Sequence, residues 1–115
     1  KYGNTYNFSK GNAKSNTGDY SGAIEEYSKA IELDPNYALA YYNRGISKKN
    51  LKDYYGAIED YNKAIEIDPK FANAYYNRGI AKANTGDSSG ACKDFKKACK
   101  LGSKFSCKIY KKGCK

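Results

Sequence analysis

Apolar positions along the chain follow helical spacing, and the whole pattern returns every thirty-four residues. Ile58, Tyr61, Ala64 and Ile65 share one helical face. Asp68-Pro69 ends that helix, because proline lacks an amide hydrogen and disfavours helix in the residue before it. Asp34-Pro35 does the same one period earlier. Residues 4–37, 38–71 and 72–105 align without gaps. The run YYNRGISK at Tyr41 returns as YYNRGIAK at Tyr75, and GAIEEYSKAIELDPNY at Gly22 returns as GAIEDYNKAIEIDPKF at Gly56. The third copy, GACKDFKKACKLGSKF at Gly90, carries cysteines and lysines in place of isoleucines and acids.

Each copy reads as two helices joined by a tight turn. The run NTGD at Asn16 and again at Asn84 supplies a glycine for the left-handed residue that closes one helix and an aspartate that caps the next. Lys52 holds the glycine's place in the second copy, where it predicts backbone strain. Gly45 and Ala57 let paired helices approach closely, with Tyr61 and Ala64 filling the contact. Gly11, Ala23, Tyr27, Ala30 and Gly79, Ala91, Phe95, Ala98 repeat that set.

These residues resemble the tetratricopeptide repeat (TPR) family, whose marks over one period are a large residue, then Gly, Ala, an aromatic, Ala and Pro. Repeat 2 carries them as Tyr41, Gly45, Ala57, Tyr61, Ala64 and Pro69. The resemblance implies an all-α fold, a right-handed superhelical stack of three helix-turn-helix repeats (4–37, 38–71, 72–105) with a capping helix at 105–114, as a single domain over 1–115. Two departures stand out. Arg44 and Arg78 occupy a position where many members have leucine, either for function or to pair with acids of the neighbouring helix. Leu101-Gly102 replaces Asp-Pro in repeat 3.

An open helical stack needs a cap over its last apolar face. In the cap, Phe105, Ile109 and Tyr110 are expected on the covered face with Cys107 and Cys114, and Lys104, Lys108, Lys111 and Lys112 on the other. All four cysteines, Cys92, Cys99, Cys107 and Cys114, lie in the last repeat and this cap. Cys92 and Cys99 are seven residues apart on one helix, roughly 10.5 Å, too far for a disulfide. Cys92–Cys107 with Cys99–Cys114 needs a hairpin with two different midpoints. Cys92–Cys114 and Cys99–Cys107 share one midpoint, residue 103, and close together. Those nested disulfides are the expectation, with Gly113 fraying the outer rung. Four buried thiols replacing isoleucines such as Ile24 and Ile31 are one alternative. A zinc site is another, against which stand thiols two turns apart on each helix. Disulfides place the chain in the periplasm, at a cell surface or in the secreted space; free thiols would suit the cytoplasm.

Composition narrows the function. Apolar residues make up 40% of 115, much of it Ala and Tyr, which suits a thin core spread along stacked helices. Histidine is absent, removing the commonest acid–base group and the usual partner of a nucleophile. No nucleophile–base pair or metal set is evident, so no enzyme, cofactor or metal site is expected. No apolar run is long enough to span a membrane. The chain opens at Lys1, as a processed protein or a cut fragment would.

The first helices carry a recurring stripe: Ser9, Asn12, Asn16, then Asn43, Ile46, Asn50, then Asn77, Ile80, Asn84, flanked by Phe8, Tyr42 and Tyr76. Asparagine offers donor and acceptor together and can hold peptide backbone. In the family these helices line a concave groove. Members that grip chaperone C-termini place basic residues where Phe8, Asn73 and Asn77 stand here; Asn12 and Asn43 match the asparagines of that clamp. An asparagine ladder holding backbone is the expected use, although an Asn-rich composition and helix-end chemistry account for such residues too. The function expected is a protein-interaction scaffold binding a peptide segment of a partner. Net charge is +9, with nine lysines against one acid after Asp87. That end suggests two alternatives: a basic adaptor for polyanions such as nucleic acid or an anionic surface, or a module that self-associates through its Tyr2–Phe8 side.

Overall fold

The computed structural model describes residues 2–114, with side chains from residue 5 onward. Among them are seven helices and no strand: α1 (Tyr2–Asn16), α2 (Tyr20–Leu33), α3 (Ala38–Asn50), α4 (Tyr54–Ile67), α5 (Ala72–Asn84), α6 (Ser88–Lys100) and α7 (Lys104–Gly113). Consecutive helices pack as antiparallel neighbours, α1 on α2, α3 on α4, α5 on α6, and each pair leans on the next. The self-association surface expected at Tyr2–Phe8 falls partly on side chains outside the described residues.

Local chemistry explains the boundaries. Asp19, Asp53 and Asp87 cap α2, α4 and α6, each accepting from the backbone amide of a glycine three residues on, at 2.9–3.0 Å. Gly18, Gly86 and Gly102 close the preceding helices with φ of 85°, 89° and 105°. Lys52 takes the same role at φ 66°, the one described non-glycine residue in that region.

The core is a row of alanines around three rings. Ala23, Tyr27, Ala30, Ala57, Tyr61, Ala64, Ala91, Phe95 and Ala98 are all buried. Gly45 is required at the second contact, since a Cβ there would sit 2.7 Å from the Tyr61 ring. Ring pairs mark the joints between units: Phe8 with Tyr37, Tyr42 with Phe71 and Tyr76 with Phe105, at centroid distances of 4.9, 4.7 and 5.7 Å.

A charged element also repeats. Asp60 accepts from two of the three Arg44 nitrogens at 2.9 and 2.7 Å and pairs with Lys48 at 3.1 Å, while the third Arg44 nitrogen reaches back to Ser28 of α2. Asp94 takes Arg78 and Lys82, and Arg78 reaches back to Asn62. Both arginines therefore tie three helices together. In the first unit Glu26 receives Lys10 and Lys14 in the same register. Burial opposes the Glu26 charge, yet Lys14, Lys10 and Lys29 outweigh it and hold the carboxyl below its ordinary value.

At the other end, Cys92 is bonded to Cys114 and Cys99 to Cys107, with Cα separations of 5.7 and 4.6 Å. Helix α7 continues the thirty-four-residue register, so Cys92 and Cys114 stand where the previous unit has Ile58 and Ile80. One expectation for α7 is corrected. Phe105 is 67% exposed, lying against Tyr76 at the margin, and the fully buried residue is Ser106. Helix α7 packs on α6, to which both disulfides tie it, and the buried Ser106 hydroxyl accepts from Ser103 at 2.9 Å.

Candidate functional site

Helices α1 and α3 hold an open cavity of about 350 Å³, lined by Asn12, Ser15, Asn16, Asn43 and Ile46 with Tyr27 beneath. Its floor is a fixed amide pair. Asn12 Oδ1 accepts from the Tyr27 hydroxyl at 2.5 Å and from Asn43 Nδ2 at 3.0 Å. Among the described residues no protein group takes the Asn12 amide N–H groups or Asn43 Oδ1. A donor and an acceptor therefore stand side by side on two adjacent helices, held by Tyr27 from below. That arrangement complements one peptide group, which offers a carbonyl and an N–H.

The third-unit asparagine behaves differently from its counterpart. Asn77 is buried, donating to the Tyr42 hydroxyl at 2.8 Å and to the Asn73 carbonyl at 3.1 Å, and accepting from Lys49 at 2.9 Å. Its amide is committed to the fold. Three register differences explain this. Tyr42 has a hydroxyl where Phe8 has none, Ile46 replaces Asn12, and Lys49 replaces Ser15. Burial also pulls the Lys49 ammonium below its ordinary pKa and pushes the Tyr42 phenol above its own.

The remaining stripe residues scatter in role. Asn84 donates to the Ile80 carbonyl of its own helix at 2.9 Å, and Asn50 is exposed at the end of α3. Ile46 and Ile80 are half-buried. Phe8, Tyr42 and Tyr76 serve the ring joints between units more than they wall a groove, each half-buried against another aromatic. Ser15 and Lys49 were not anticipated from the stripe. The signal that finds them is their shared register position, one turn beyond Asn12 and Ile46.

The Asn12 contact has a consequence for the core rings. Tyr27 gives its hydroxyl to Asn12, whereas the Tyr61 hydroxyl is buried with no partner among the described residues, because Ile46 stands in the Asn12 position. Tyr61→Phe is therefore expected to leave stability unchanged or raise it by about 1 kcal/mol, while Tyr27→Phe lowers it by about 1 kcal/mol. Urea unfolding of the two variants checks the opposite signs.

Among the described residues no group of three or more His, Cys, Asp or Glu side chains is placed to hold a metal ion, and no helix is long and apolar enough to cross a membrane.

Comparison with known proteins adds a family. The sequence profile described as "TPR repeat" matches residues 11–52 and 50–86, and that described as "Tetratricopeptide repeat" matches residues 72–103. No curated protein matches the sequence significantly. Among solved structures, the chain is similar to the Arabidopsis OM64 TPR domain, at 29% identity and TM-score 0.92, covering 96% of this chain and 93% of that one. It is similar to the first TPR of Spaghetti (RPAP3), solved bound to the HSP90 peptide SRMEEVD, at 26% identity and TM-score 0.91, covering 96% and 90%. It is also similar to the TPR2B domain of yeast Sti1 in complex with an Hsp70 peptide, at 25% identity and TM-score 0.91, covering 96% and 95%.

Proposed function

This chain belongs to the tetratricopeptide repeat family, and from that premise we propose that it is a non-enzymatic scaffold holding an extended peptide segment of a partner protein across α1 and α3. The observation that carries this reading is the locked Asn12–Asn43 pair, with one free donor and one free acceptor at the lip of a cavity. Structural relatives solved with HSP90 and Hsp70 peptides support a peptide as the ligand class.

The mode differs from a grip on an acidic terminus. Phe8, Asn73 and Asn77 bring no positive charge to the groove, and Asn77 is already committed. A backbone amide satisfied by Asn12 and Asn43 is read without regard to its side chains, so side-chain selectivity falls to Ser15, Asn16 and Ile46. The disulfide-stapled end suits an oxidising compartment, such as a periplasm, a cell surface or the secreted space.

Peptides selected from a random library on the oxidised protein test this. Their affinity is expected to fall about tenfold with Asn43→Ala, the equivalent of one well-made hydrogen bond. Asn36→Ala, in an exposed loop, leaves it unchanged, and so does amidation of the peptide's C-terminus. Binding indifferent to Asn43→Ala, or dependent on a free terminal carboxylate, overturns the reading.

A further inference from the structure

Beyond the groove, we propose that the α6–α7 hairpin presents a flat lysine face that docks on an anionic lipid bilayer. At 100° per residue, Lys93, Lys96, Lys97 and Lys100 of α6 fall within an arc of about 100°, and so do Lys104, Lys108, Lys111 and Lys112 of α7. In each helix the stripe lies about 100° from the cysteines, in the same rotational sense. The disulfides make the two helices antiparallel and turn their cysteines toward each other. The same sense about opposed axes then brings both stripes to one side of the hairpin. Eight lysines make one surface, with the disulfides between them.

That surface carries no compensating charge. All eight lysines are exposed, and none joins an ion pair among the described residues. The hairpin's one acid, Asp94, is buried and already taken by Arg78 and Lys82. The register shows a reversal of charge. Glu25 and Glu32 in α2 and Glu59 and Glu66 in α4 become Lys93 and Lys100 in α6. Lys108 stands where Ala40 and Ala74 are fully buried, so a charge replaces a core position in the last helix.

The type of charge selects the partner. The face has no arginine to fork onto base edges, and Tyr110, which lines a pocket with Lys93 and Lys96, is half-buried and offers no open ring face for stacking a row of bases. It is broad in two dimensions, where a single polyanion strand would be met by a line or groove. At its margin, Phe105 is 67% exposed, an apolar group at the level where head groups would lie. Spread ammonium groups with one apolar side chain match an anionic bilayer surface. No helix of the described residues crosses the bilayer, so the attachment is peripheral.

Vesicle flotation of the oxidised protein tests the proposal. Partition onto phosphatidylcholine vesicles containing about 30 mol% phosphatidylserine should exceed that onto pure phosphatidylcholine by at least about tenfold. It should vanish between about 0.1 M and about 0.5 M salt. The variant Lys93→Gln/Lys97→Gln/Lys108→Gln/Lys112→Gln should lose that excess. Removing equal charge elsewhere, with Lys29→Gln/Lys52→Gln/Lys63→Gln/Lys70→Gln, should not. Equal partition on both vesicles, equal loss in the two variants, or tighter salt-sensitive binding to a single-stranded oligonucleotide overturns the proposal. The groove reading stands or falls separately, on peptide affinity.

Discussion

Asp60→Ala is expected to lower the free energy of unfolding by about 3–5 kcal/mol, among the largest losses available to one substitution in this chain. Asp60 is 3% exposed and receives Arg44 through two nitrogens, together with Lys48. Removing the carboxylate leaves a guanidinium and an ammonium close together without a counter-charge, in a place water reaches poorly. The Asp60 contact is also the main reason the Arg44 guanidinium sits above its ordinary pKa. Arg44 bonds Ser28 as well, so the damage reaches the joint between the first two units. Truncating both partners, Asp60→Ala with Arg44→Leu, should recover much of the loss, since leucine is the residue many family members carry there and only the Lys48 ammonium is left without its partner. Urea unfolding of the three proteins measures this. A loss below about 1 kcal/mol for Asp60→Ala would mean that the pair behaves as a solvated surface contact.

Removing the outer disulfide with Cys92→Ser/Cys114→Ser should cost about 3 kcal/mol, from the loop entropy released when residues 22 apart are no longer joined. The effect should be local as well as global. Helix α7 packs chiefly on α6, and its one fully buried side chain is Ser106. Little apolar burial would remain to hold it. Hydrogen exchange in the variant should therefore speed up across residues 104–113 while α3 and α4 stay protected. Unchanged urea midpoints with and without reductant would show that packing alone holds the cap.

Much of the fold was legible because the repeat states it three times. Glycine at the close approach, aspartate at the cap and alanines around a ring are each demanded by geometry, so each recurs at the same spacing. Lys52 could be marked as a strained turn for the same reason, being the one interruption of a glycine series. The site was harder to read, because the repeat hides what the neighbours change. Asn43 and Asn77 sit in identical sequence surroundings, yet one remains open and the other is consumed. The difference comes from residues about a period earlier: Phe8 against Tyr42, Asn12 against Ile46 and Ser15 against Lys49. The Tyr42 hydroxyl and the Lys49 ammonium together occupy the Asn77 amide. The orientation of α7 was obscured in a related way. Phe105 has the look of a core residue in a helical wheel, but helix position is set by the cysteines and by the small Ser106, which no hydrophobicity pattern weighs.

The central claim is that the Asn12–Asn43 pair receives the backbone of a bound peptide, and NMR titration of the labelled protein with a library-selected peptide tests it most directly. The account predicts that the side-chain amide signals of Asn12 and Asn43 and the methyl signals of Ile46 shift together and saturate at one stoichiometry, while the Asn77 amide moves little. Shifts confined to the convex side of α2 and α4, or to the lysines of α6 and α7, with Asn12 and Asn43 unmoved, would contradict it.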